Sequence, residues 1–165
     1  MTPELPREII EPQAIELMVV WRNRNGRATL KPDARQAIVE LSRRGYRLGV
    51  ISNTTSTADL PRFLDACGLN KYFKVVILSS VSGYRKPNPE IFWKATRAMR
   101  VAPAQCAYLG NKIPSDVVGS RQAGFAMALI VESLDKPRAA EKDQVAKPDA
   151  VIHELRELLD FFPPR

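Results

Sequence analysis

Apolar, strand-like runs alternate along this chain with amphipathic segments whose apolar residues recur every three or four positions. Residues 46–52 read as a strand rich in branched residues. Residues 57–67 read as a helix, with Pro61 near the first turn, where its ring is tolerated, and Gly68 at the stop. Residues 73–79 hold almost no polar position, which suits a parallel strand covered on both faces. Asn88-Pro89-Glu90 is a helix start: a capping side chain, a proline at the first helical position and an acid in the first turn. That helix is expected to run to about residue 100. Residues 105–109 and 125–131 read as strands, and 114–123 as a helix stopped by Gly124. A polar loop over 132–147 and a closing helix over 151–161 complete the pattern.

Strand, helix, strand in repetition predicts an α/β fold, a doubly wound parallel sheet with helices on both faces. Such sheets bind ligands at the carboxyl ends of their strands. Ser52, Gly110 and the loop before Lys86 all fall at or just after such ends. The first segment admits two readings. Residues 12–23 form a helix with Ile15, Met18 and Val19 on one face, or residues 15–21 form a strand.

The 165 residues fit one domain, 45% hydrophobic and 26% charged. No apolar run reaches the length of a membrane span. No basic segment followed by an apolar one opens the chain, so a cytoplasmic location is expected. Cys67 and Cys106 are too few for a disulfide framework and read as small core residues. The net charge of +7 is scattered and reads first as a solvated surface, second as attraction to anions. No aromatic platform or recognition motif supports nucleic-acid binding. His153, placed in the closing helix, reads as a surface residue, and Trp21 and Trp93 as core or subunit contacts.

Four pieces carry candidate chemistry. Ser52-Asn53-Thr54 follows a strand and offers a hydroxyl and backbone N–H groups, the makings of a phosphate cradle or of a simple capping turn. Lys86, just ahead of a helix start, can bring a point charge to a phosphate or stand as a solvated loop lysine. Asp116 can hold a hard cation, with Asn111 adding a carbonyl oxygen, or serve as a first-turn acid favoured by the helix dipole.

Three stretches, 45–54, 83–92 and 108–124, resemble the haloacid dehalogenase superfamily in order and spacing, and the likeness covers most of residues 30–160. The resemblance implies a three-layer Rossmann-like fold and a phosphatase lineage acting on small phosphorylated molecules. It implies an Asp nucleophile on the first strand that forms an aspartyl-phosphate, with Mg²⁺ neutralising the phosphoryl charge. Carried over, Ser52 and Asn53 bind phosphate, Lys86 bridges nucleophile and phosphate, and Asp116 with Asn111 sits at the metal.

Two departures matter. No Asp-x-Asp occurs in the sequence and no Asp precedes Asp33. Position 111 is Asn where the family's phosphatases have Asp, although the four residues between Asn111 and Asp116 keep the phosphatase spacing. If 15–21 is a strand, residues 23–26 are a decayed Asp-x-Asp-Gly. The expectation is one domain, 1–165, made of a remnant segment 1–30 and a Rossmann-like core 31–165, with little or no activity by itself. It is then a non-catalytic relative that binds a phosphorylated ligand or a protein, or a half-domain completed by another chain or a second copy.

Overall fold

In the computed structural model, residues 29–133 and 146–165 are described. The two readings of residues 12–23, the residues 23–26 and Trp21 lie outside them, as does most of the polar loop.

Chain direction and apolar spacing set the architecture. Helix α1 (Ala34–Arg43) buries Ala34, Ala37 and Leu41 on one face and stops before Gly45, which takes a positive φ of 86°. Strand β1 (Leu48–Ser52) follows, then α2 (Asp59–Ala66) and β2 (Phe73–Leu78), paired parallel to β1 with Ser52 opposite Leu78. A single turn, α3 (Ser79–Ser82), leads to α4 (Pro89–Met99). Asn88 caps α4 as the sequence predicts: its Oδ1 accepts from Glu90 N at 2.9 Å.

The second half holds β3 (Ala107–Gly110), a π turn (Ile113–Val117), α5 (Val118–Gln122), β4 (Met127–Val131) and β5 (Ala150–Ile152). β3, β4 and β5 pair in parallel in that order. A short 3₁₀ turn and α6 (Leu158–Phe161) end the chain.

The closing segment corrects the expected helix over 151–161. Its first residues form β5 on the open edge of β4, and His153 lies after that strand rather than in a helix. Val151 and Ile152 are β-branched, and placing Ile152 at 1% exposure beside Leu129 outweighs helical periodicity.

The layers follow from which strand residues face which helix. Leu48, Leu109, Leu129 and Ile152 pack with Leu41 of α1 and Leu158 of α6. Ile51, Ile77 and Tyr108 pack with Ile91 and Phe92 of α4 and with Phe125. Ala128 and Ile130 meet Ile113 and Val117 of the π turn. β4 is therefore covered on both faces, as a parallel strand requires. Trp93 joins this core and donates to Ala123 O at 3.0 Å. Cys67 and Cys106 are free and half-buried, and burial pushes the Cys106 thiol up.

The strands form two parallel sets, β1–β2 and β3–β4–β5, and among the described residues no strand joins β1 to β3. One side chain does. The Tyr108 hydroxyl on β3 donates to Ile51 O on β1 at 3.3 Å.

Candidate functional site

The carboxyl ends of β1 and β3 bring the predicted residues together. Asn53 follows β1 and clasps the backbone of Lys86: Nδ2 donates to Lys86 O at 3.0 Å, and Oδ1 accepts from Lys86 N at 2.9 Å. Both ends of the carboxamide are thus spent on holding the lysine loop. Asn53, expected as a phosphate contact, has its side chain engaged with the Lys86 backbone, and Ser52 stands beside it at the end of β1.

Hydroxyls fix the turn that follows. Thr54 N donates to Ser79 Oγ at 2.9 Å, and Ser79 Oγ donates back to Thr54 O at 2.8 Å. Ser56 Oγ accepts from Ala58 N and Asp59 N at 3.3 and 3.2 Å where the turn enters α2. The backbone next to Ser52 is tied down by side chains from two elements.

Lys86 reaches inward. Its Nζ donates to the Tyr108 hydroxyl at 2.8 Å and lies 2.7 Å from Asp116 Oδ1. The lysine side chain is 11% exposed and the aspartate 2%. Asp116 Oδ1 makes no hydrogen bond of acceptable angle, yet at this separation charge attraction holds whatever the angle. Oδ2 accepts from Asn111 N and Lys112 N, each at 2.9 Å.

The π turn makes that last contact. An i→i+5 turn over 113–117 folds Asp116 back over the end of β3, a geometry frequent at functional sites. Gly110 leaves the space: a Cβ there would meet Asp116 carboxylate atoms at 2.4 Å.

Tyr108 is a site residue that the sequence reading misses. The available signal is a tyrosine in a short buried strand, whose hydroxyl must find partners. Burial first, and the Asp116 charge second, push its pKa well above the usual phenol range. It stays protonated, donating to Ile51 O while accepting from Lys86.

A divalent metal fits this arrangement poorly. Among the described residues, no three His, Cys, Asp or Glu side chains gather as a metal site would require. The carboxylate oxygen that would face a cation already faces an ammonium. The described residues alone therefore do not complete the Mg²⁺ site that the resemblance implies.

Known proteins place this geometry. Residues 7–124 match the haloacid dehalogenase-like hydrolase family. Over 116 residues the chain is 34% identical to the glyceraldehyde 3-phosphate phosphatase of Methanothermobacter thermautotrophicus, covering 70% of this chain and 50% of that one. Over 156 residues it is 32% identical to the phosphoserine phosphatase of Thermus thermophilus, covering 94% and 57%. The crystal structure of a 2-haloacid dehalogenase from Pseudomonas syringae aligns with a TM-score of 0.72 at 26% identity, over 95% of this chain and 63% of that one. The chain spans between 50% and 64% of the length of the first three curated relatives. Among the described residues no helix is long and apolar enough to cross a membrane. With the parallel strands, the site at their carboxyl ends and these matches in hand, the chain belongs to the haloacid dehalogenase-like hydrolases, in their phosphatase lineage.

Proposed function

We propose that the chain binds the phosphate group of a small phosphorylated molecule between Ser52 and Lys86 and turns it over slowly or not at all by itself. The observation that carries this reading is the Lys86 ammonium, held at the carboxyl end of β1 by Asn53 behind it and Tyr108 beside it. A lysine ammonium has three protons to give. One goes to Tyr108 and one faces Asp116, which leaves one for an incoming oxyanion.

The slow turnover follows from the carboxylates. Covalent phosphoryl transfer needs an oxygen free to attack phosphorus. Asp116 spends Oδ2 on two backbone N–H groups and presents Oδ1 to Lys86. It is a poor nucleophile, and the sequence holds no Asp-x-Asp to supply another. Mg²⁺, when bound in such a site, neutralises phosphoryl charge. Here it would need carboxylates beyond the described ones.

Relatives act on glyceraldehyde 3-phosphate, phosphoserine and ribulose 1,5-bisphosphate, so the ligand class is a short phosphorylated metabolite. The test is calorimetric titration with inorganic phosphate, alongside turnover of p-nitrophenyl phosphate on protein free of host phosphatase. Saturable phosphate binding without turnover supports the proposal. Turnover that vanishes in Asp116→Ala sinks the inactivity, and absence of phosphate binding sinks the site.

A second reading has its own observation. β1 and β3 fall in separate sets of strands, with no strand pairing them among the described residues. Unpaired backbone groups in a sheet interior cost about 1–3 kcal/mol each. A further strand, from this chain or from a complementing chain, would satisfy them. Light scattering with native mass spectrometry decides whether a second chain, identical or different, is present.

A further inference from the structure

We infer that Lys86 serves as the counter-ion of Asp116 in place of a divalent metal, so that the site takes a tetrahedral phosphate-class anion with an affinity independent of Mg²⁺. The inference deepens the proposed function and rests on it for the identity of the anion.

A buried carboxylate needs a cation or a full set of donors. Asp116, at 2% exposure, has N–H donors on Oδ2 alone, and Lys86 Nζ is the charge beside Oδ1 at 2.7 Å. A metal bound to Oδ1 would have to push that ammonium aside or share the oxygen with it. Pushed aside, Lys86 keeps, among the described residues, the neutral Tyr108 hydroxyl and ring as partners in a pocket where it is 11% exposed. Left in place, it repels the metal at short range and low dielectric.

Magnesium offers no way round this. It dehydrates reluctantly and is held through one or two carboxylates plus ligand phosphates. Among the described residues Asp116 belongs to no group of three or more His, Cys, Asp or Glu side chains that could hold the ion. Asn111, where a phosphatase has Asp, adds no charge either.

The lysine is also not free to leave. Asn53 grips its backbone through two hydrogen bonds, so its side chain swings from an anchored point. Tyr108 holds the other end. Lys86 is thus a built-in cation, fixed at both ends against one acid.

Two measurements on the full chain test the inference separately from the proposed function. The first is Mn²⁺ binding followed by electron paramagnetic resonance, with no phosphate present. Wild type is expected to leave Mn²⁺ free at about 1 mM. Lys86→Met keeps the apolar stem and removes the charge, and is expected to bind Mn²⁺ about tenfold more tightly or better. The double variant Lys86→Met with Asp116→Asn is expected to lose that gain. Circular dichroism checks that each variant folds.

The second is titration of wild type with inorganic phosphate in EDTA and again in excess Mg²⁺. Equal affinities within about twofold are expected. This arm needs no variant and decides the matter if Lys86→Met fails to fold. Wild-type Mn²⁺ binding well below millimolar concentration overturns the inference, as does a phosphate affinity that rises about tenfold with Mg²⁺. No phosphate binding under either condition overturns the assigned anion and the proposed function, while the manganese result still decides what stands beside Asp116.

Discussion

The carboxamide of Asn53 matches the backbone of Lys86 group for group, accepting from its N–H at 2.9 Å and donating to its carbonyl at 3.0 Å. A peptide-like side chain thereby fastens the loop before α4 to the end of β1. Removing it as Asn53→Ala leaves two backbone groups to find other partners, at about 1 kcal/mol each. Urea unfolding should show a loss of about 2 kcal/mol. Phosphate titration followed by NMR should show affinity about tenfold weaker, because the lysine loses its anchored origin. An unchanged phosphate affinity would mean that the clasp holds the fold and leaves the ligand alone.

Tyr108→Phe isolates one hydroxyl. It removes the partner of Lys86 Nζ and the donor to Ile51 O while keeping the ring against Phe92, whose centroid lies 5.0 Å away. A stability loss of about 1 kcal/mol is expected for the hydrogen bond removed from Ile51 O. Equal unfolding midpoints for variant and wild type would show that the hydroxyl adds nothing to the packing that already joins the two sets.

Gly110→Ala should be the most damaging single methyl. Its Cβ falls 2.3 Å from the Asp116 Cβ, and the carboxylate there is locked by backbone N–H groups. Relief requires shifting the π turn. The expected cost is about 2–4 kcal/mol, read from denaturant midpoints.

Asp149 gives a pH test away from the site. Its Oδ2 accepts from Ala128 N at 2.7 Å and its Oδ1 lies 2.6 Å from Arg121 Nη2. The Ala128 N–H first, and Arg121 second, hold its carboxyl below the usual range. A carboxyl depressed on folding adds stability above its unfolded pKa of about 3.9, and that stability is lost as pH falls through the folded value. Asp149→Asn should therefore melt lower than wild type at pH 7. The difference should shrink once the pH drops below about 4. A gap that stays constant down to pH 2 would assign the effect to shape rather than charge.

Much of this fold is legible in the sequence because β-rich runs and helix stops coincide. Gly68 and Gly124 sit at positive φ where helices end, and the Asn88 cap forms as read. What escapes is tertiary. Helix α1 is the exception: its apolar residues at 34, 37, 38 and 41 carry a helical period that the sequence reading passes over. The run 151–161 has helical spacing, and nothing local reports that the edge of β4 stands open to Val151 and Ile152. The stretch 114–123 reads as one helix, yet its first turn widens to i→i+5 so that Asp116 can reach back to the N–H groups of 111 and 112. At the site, Lys86 and Asp116 are legible as charged residues at strand ends, but their mutual pairing depends on the Asn53 clasp and on Tyr108, which no spacing rule contains.

The bridge from Tyr108 to Ile51 has a mechanical consequence. A hydrogen-bonded ladder spreads load over many contacts, and sliding it means breaking several together. Among the described residues the Tyr108 phenol hydrogen-bonds from β3 to β1, and that same phenol accepts from the ammonium beside Asp116. A displacement of β3 against β1 would therefore move the hydroxyl to which Lys86 Nζ donates.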